Sequence, residues 1–269
     1  MLQLRLCLPF VLPFSLGFAA FLVHPAPPLC AAALAADPEP ARVTLSAEDK
    51  LTLVGTYFAP CDTKQKASAA LLLHDTGGSR ADVLALAKRL QKTGFAVLAI
   101  DLRGHGESAT AELSWKALDS EGQLRAWTAM QGDMKAAVAF LTTQTGVQPS
   151  RVSLLAQGNS AMLAVRHAVR DERVRDLVLI DPKPEVHGNS IVKDLEQLGG
   201  LPTLIVVGKD DQNTGKRLIE ASAKSAGSPD WIEVRTSKQD ASAIMTDKSM
   251  YGDVSKWMLE KSLPVKTKG

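Results

Sequence analysis

The chain has 269 residues, 45% of them hydrophobic and 22% charged, with a formal net charge of +2. That composition suits a globular protein with a substantial core. Its basic residues are spread among acids, without the basic patch or stripe that nucleic acid requires, so no nucleic-acid partner is expected.

Residues 1–36 carry a single charge, Arg5, followed by a long apolar run and then small residues. This is the layout of a secretory signal peptide, with Ala33-Leu34-Ala35 fitting the cleavage site and the cut expected after Ala35 or Ala36. Pro9, Pro13, Pro25, Pro27 and Pro28 would be costly inside a spanning helix. The reading is therefore an exported protein, periplasmic or secreted, with no membrane association after cleavage. Cys7 and Cys30 fall in this segment. Cys61 is left alone in the mature chain, where one cysteine makes no internal disulfide.

After a short polar lead-in, RVTLS and LTLVGTYFA alternate around a polar link and predict an antiparallel pair. SAALLLHD is a continuous apolar run, as expected of a strand buried on both faces. ADVLALAKRLQKTG has helical spacing and stops at Gly94. FAVLAID predicts another buried strand, and a polar loop over 102–121 leads to a long helix from Gly122. Then come RVSLLA (strand), NSAMLAVRHAVR (helix), RDLVLID (strand), SIVKDLEQL (short helix) and LPTLIVVG (strand). TGKRLIEASAKSAG (helix), DWIEVRT (strand) and YGDVSKWMLEKS (helix) complete the order. Alternating strands and helices predict an α/β fold: a doubly wound, mostly parallel sheet flanked by helices, with the antiparallel pair at its N-terminal edge. Residues 37–269 are read as one such domain.

Parallel sheets place working residues on loops at the carboxyl ends of their strands. Four such loops stand out: HDTGGSR (74–80), DLRGHGES (101–108), the turn AQGNS (156–160) and VVGKDDQNT (206–214). In this order they resemble those of the α/β-hydrolase superfamily, and more closely its small cap-less esterase-like and dienelactone-hydrolase-like members. The resemblance implies that HDTGGS supplies part of an oxyanion hole through Thr76 and Gly77. It also implies that GKDD carries the acid of a catalytic triad at Asp211 or Asp210, and that His74 and His105 build loops rather than act as bases.

The chemistry of that superfamily needs a serine on a strained strand-to-helix turn, a histidine that takes its proton, and a carboxylate that orients the histidine. Aligned without gaps, Ala156-Gln157-Gly158-Asn159-Ser160 occupies the five positions of Gly-x-Ser-x-Gly. Gly158 then falls on the nucleophile, and Ser160 on the last glycine. The rival alignment puts Ser160 at the tip and Met162 where glycine is wanted. Asp240-Ala241 stands where the resemblance expects His-Gly, and no histidine follows His187. His167 lies on the helix after the turn and reads as a surface or packing residue. No compact His/Cys/carboxylate cluster suggests a metal, and no cofactor is expected, since the glycine fingerprint of a dinucleotide site is missing after the first strand.

The expectation is an exported α/β-hydrolase-like protein whose nucleophile and histidine positions are lost, acting as a non-catalytic binding or regulatory module. Its partner would be a small molecule or a protein, and its ligand crevice would be lined by Thr76, Gly77, Gly158, Asn159, Asp211 and Asp240. The alternative is an active serine hydrolase acting on small esters or acyl substrates, with Ser160 served by an unconventional base such as His187. The distinguishing observation is whether Ser160 Oγ reaches a histidine nitrogen.

Overall fold

The computed structural model describes residues 37–62, 64–211, 214, 218 and 231–262. The expected signal, residues 1–36, lies outside them, as does most of the helix expected over 214–227.

The strands in chain order are β1 (Ala41–Ser46), β2 (Thr52–Phe58), β3 (Ala67–Leu73), β4 (Ala96–Ile100), β5 (Val147–Gln157), β6 (Val174–Ile180), β7 (Glu185–Val186), β8 (Asn189–Ser190), β9 (Thr203–Val207) and β10 (Ile232–Thr236). β7 and β8 form a small antiparallel hairpin. The other eight make one sheet in the order β1-β2-β4-β3-β5-β6-β9-β10. β1 runs antiparallel to β2, and β2 to β4; every other pairing in the sheet is parallel. This is the mostly parallel sheet, with an antiparallel pair at its N-terminal edge, that the alternation of elements predicts.

Helices α1 (Leu84–Lys92) and α5 (Lys248–Ser262) cover one face. The other carries α2 (Ser120–Thr143), α3 (Ser160–Ala168) and the short α4 (Ile191–Leu195). Successive side chains of a strand point to opposite faces, and the apolar runs obey this. In β4, Ala96, Leu98 and Ile100 join the α2–α3 side, while Val97 and Ala99 join the α1–α5 side. In α2, Ala126, Trp127, Met130, Met134, Ala137, Val138 and Leu141 form a buried stripe at helical spacing. Asp119 caps this helix by accepting the Gly122 amide at 2.7 Å.

Some boundaries differ from the sequence reading. β5 starts at Val147, before the exposed Pro149 that hid its first residues. α5 starts at Lys248 rather than Tyr251, because Asp247 Oδ1 accepts the amides of Ser249 and Met250 at 3.0 and 3.3 Å. Cys61 is disulfide-bonded. Among the described residues no helix is long and apolar enough to cross a membrane.

Leu71 of β3 is fully buried at the centre of the sheet. Leu71→Ala is expected to lower stability by about 3 kcal/mol, read as a fall in the urea midpoint at unchanged slope. A loss well under 1 kcal/mol would contradict this account of the core.

Candidate functional site

Parallel pairing sets three residues level with one another. β3 pairs with β5 with Leu73 opposite Ala156, and β5 with β6 with Gln157 opposite Ile180. Continued one or two residues past the strand ends, that register places Asp75, Gly158 and Asp181 side by side, where an open α/β sheet holds its ligands.

Gly158 sits in the turn between β5 and α3 at φ +59°, a conformation that favours glycine. Its amide donates to the Ile180 carbonyl at 2.8 Å. A Cβ built on it would lie closer than 3.0 Å to all three atoms of the Asp75 carboxyl group. The space over the turn is thus filled by the acid of the neighbouring strand. Asp75 Oδ1 accepts the backbone amides of both Thr76 and Asn159, each at 2.7 Å. Thr76 and Asn159 both belong to the crevice expected from the sequence, and here their amides hold a carboxylate. The Asn159 side-chain amide donates to Thr76 Oγ1 at 2.6 Å, closing the ring. Burial raises the Asp75 carboxyl above the usual carboxylate range, against the pull of the two amides and of the Lys183 charge. Lys183 Nζ lies 2.6 Å from Asp181 Oδ2. Asp181 is 7% exposed at φ +48°, and its other oxygen is buried without a hydrogen-bond partner among the described residues.

Two histidines fix the loop that presents Asp75. His74 is fully buried; its Nδ1 meets the Asp75 carbonyl at 2.6 Å, and its Nε2 accepts the Leu102 amide at 3.1 Å. His105 Nδ1 meets the Arg103 carbonyl at 2.9 Å and Nε2 accepts the Gly77 amide at 2.9 Å. Each ring therefore donates through Nδ1 and accepts through Nε2, which requires the neutral form. Burial lowers the His74 pKa to about 4 and moves His105 in the same direction. Asp101 anchors the second loop by accepting the Arg80 and Glu107 amides at 2.7 and 2.8 Å. Arg103 pins that loop to α2 through the fully buried Asp133, with Nε to Oδ2 at 2.9 Å. A cleft of about 400 Å³ is lined by Gly77, Gly78, His105, Gly106 and Trp115, so the Asp75 loop forms part of its wall.

The remaining expected residues fall elsewhere. Ser160 is fully buried at the start of α3, and its Oγ donates to the Gln157 carbonyl at 2.7 Å rather than to a histidine. His187 lies with its ring 5.7 and 6.1 Å from those of Trp127 and Trp115. His167 sits against Asp171 at 3.0 Å. Asp211 accepts from Thr214 Oγ1 at 2.8 Å, while Asp240 faces Lys209 at 3.5 Å. It is Asp210 that ties the two loops together, accepting the Ala241 amide at 2.8 Å. Among the described residues no hydrogen bond or ion pair links Asp211 or Asp240 to Asp75 or Gly158, and no group of three or more His, Cys, Asp or Glu is placed to hold a metal ion. The structure joins Thr76, Gly158 and Asn159, and adds Asp75, Asp181 and Lys183, which the motif reading passed over. Strand register could have found Asp75: a glycine at the turn leaves a gap, and the residue level with it on β3 is an acid.

Comparison with known proteins agrees with this architecture. The family model described as serine aminopeptidase, S33, matches residues 64–199. An esterase of Pyrococcus furiosus superposes with a TM-score of 0.62 at 16% identity, covering 84% of this chain and 92% of that one. The dienelactone hydrolase of Anabaena variabilis gives 0.59 at 19%, covering 85% and 100%. A putative dienelactone hydrolase of Klebsiella pneumoniae gives 0.66 at 11%, covering 84% and 99%. No curated protein matches the sequence.

Two expectations follow. Gly158→Ala should cost about 2–3 kcal/mol, from backbone strain and the collision with Asp75. In an Asp75→Gly background the collision is gone and the cost should fall to about 1 kcal/mol. Strictly additive denaturation energies would contradict the packing of Asp75 over Gly158.

The second concerns pH. The folded His74 has a pKa near 4, below the ordinary 6.5, so on acidification the unfolded chain takes the proton first. Stability from this group is complete above pH 6.5 and is lost towards pH 4, by up to about 3 kcal/mol. The His74 ring resonances should remain those of neutral imidazole at pH 5. Titration near 6.5 would contradict its placement.

Proposed function

The chain belongs to the serine aminopeptidase S33 family of α/β hydrolases, and on that premise we propose that it is an exported member that has left serine catalysis and serves as a binding or regulatory module. The observation that carries this reading is the Asp75 carboxylate over Gly158. A serine hydrolase needs a hydroxyl at the turn and two empty amide donors for the oxyanion that forms on the substrate. Here the turn residue has no side chain, and both donors are engaged by Asp75 Oδ1. Asp240 at the expected histidine position supports the same reading. A carboxylate facing Lys209 is a poor substitute for imidazole as a base working near neutral pH. The rival route through Ser160 has a sealed hydroxyl bonded to a main-chain carbonyl, and among the described residues no hydrogen bond joins it to His187, which lies exposed beside Trp115 and Trp127.

Export rests on the sequence of residues 1–36. The bound partner is read as a small molecule entering the crevice beside Thr76, Gly77 and Asn159, or as a protein that covers it.

The test uses the chain from Asp37 onward with short p-nitrophenyl esters and a fluorophosphonate probe. We expect neither ester turnover above the uncatalysed rate nor covalent labelling. Turnover that disappears in Ser160→Ala would overturn the proposal and return the nucleophile to residue 160.

A further inference from the structure

A second cleft lies at the opposite end of the sheet from Gly158. Because β5 and β6 are parallel, α3 carries the chain from the carboxyl end of β5 back to the amino end of β6. The loop between α3 and β6 meets the last turn of α2, where Arg173 donates to Thr142 Oγ1 at 3.5 Å. Between these elements is an opening of about 650 Å³, lined by Lys135 and Ala139 of α2 and by His167, Arg170, Asp171 and Arg173. That volume falls within the range of small-molecule pockets.

Asp171 is the fixed point of this cleft. Arg173 grips it as a fork, Nε to Oδ1 at 2.8 Å and Nη2 to Oδ2 at 2.7 Å, and holds its carboxyl down to about 2. An ionised carboxylate only accepts, so it takes the Nε2 proton of His167 across 3.0 Å. His167 is 5% exposed, and burial lowers its pKa against the pull of Asp171, so near neutral pH the ring is uncharged and Nδ1 carries a lone pair. Nδ1 has no hydrogen-bond partner among the described residues. Arg173 and Asp171 neutralise each other, which leaves two cations. Arg170 gives one nitrogen to the Arg166 carbonyl at 2.9 Å and, among the described residues, pairs with no carboxylate. Lys135 acts on His167 through its charge. Its contact with Glu48 at 3.3 Å joins two exposed side chains, a pairing worth little.

A buried acceptor beside two cations selects its ligand. A carboxylate or a sulfate satisfies the cations and, near neutral pH, has no hydrogen to offer Nδ1. A phosphate group has one, since its second ionisation lies at about pH 6. One phosphate oxygen donates to Nδ1 while the others accept from the guanidinium and the ammonium group. If the proton crosses to Nδ1, the imidazolium donates to the dianion and the hydrogen bond persists. We propose that this cleft binds a phosphate group, free or carried as a small monoester, with Arg170 and Lys135 supplying the charge and His167 Nδ1 selecting phosphate over other anions. The site is independent of whether the serine route at the other end of the sheet is closed.

Calorimetric titration of the purified protein at neutral pH with phenyl phosphate, phenyl sulfate and inorganic phosphate tests this assignment. Phenyl phosphate is expected to bind with a Kd below about 1 mM. It should bind about tenfold more tightly than phenyl sulfate, which has the same shape and no ionisable hydrogen. His167→Gln keeps an N–H for Asp171 but lacks the second ring nitrogen, and should remove that discrimination while sulfate still binds. Arg170→Ala, at an exposed position, should weaken both about tenfold, whereas Lys88→Ala, on α1 across the sheet, should change neither. Inorganic phosphate binding as tightly as the phenyl ester assigns the site to free phosphate, and tighter binding of the ester assigns it to a monoester; either supports a phosphate site. No saturable binding of phenyl phosphate up to about 10 mM would overturn the proposal. So would equal affinity for the phosphate and sulfate esters, or an affinity unmoved by Arg170→Ala.

Discussion

Two backbone amides, of Thr76 and Asn159, point at one carboxylate oxygen, and most of what is distinctive here depends on that convergence. The amides come from different segments, the loop after β3 and the turn between β5 and α3, and the parallel register of β3 with β5 brings them together. The same register sets Asp75 level with Gly158. Around this point the buried rings of His74 and His105 clamp the loops after β3 and β4 to each other, and Arg103 with Asp133 clamps the second loop to α2. The loop carrying Asp75 is therefore built into the core rather than laid over it.

The balance of forces on Asp75 explains why a carboxylate can stay there. Desolvation alone would penalise a half-buried charge by several kcal/mol. Two charge-assisted hydrogen bonds to fixed amides, stronger than neutral ones, offset much of that penalty, and a lysine charge contributes further. Partially buried amides left unpaired would be unfavourable in their turn. A carboxylate on β3 and a glycine on the turn are mutually permissive: a side chain at residue 158 would displace Asp75, and without Asp75 the donors would stand open to a ligand. Glycine at the turn and acid on the neighbouring loop thus form a single substitution in physical terms.

Sequence reasoning reached the architecture because the signals are periodic and local. Apolar runs such as AVLAI mark strands buried on both faces, the stripe from Ala126 to Leu141 marks a long helix, and their alternation implies a parallel sheet. The loops at the strand ends were legible for the same reason, since glycine and charged residues interrupt those runs. Asp75 escaped notice because its role lies in a pairing across two strands 83 residues apart in the chain (158 minus 75), and no local pattern records which side chain fills the gap above a glycine. Asp181 and Lys183 escaped likewise: DPK after a strand reads as an ordinary turn. The grouping of Asp211 and Asp240 with Gly158 came from motif position, whereas side-chain pairing with Thr214 and Lys209 decides where those carboxylates are bonded.

The most direct test is an atomic-resolution crystal structure of the chain from Asp37 onward, read at one place. The account predicts continuous density for the Asp75 carboxylate over Gly158, with one oxygen within hydrogen-bond distance of both the Thr76 and Asn159 amides. A water or buffer anion between those amides, with the Asp75 side chain turned out to solvent, would contradict it and would leave an open oxyanion hole.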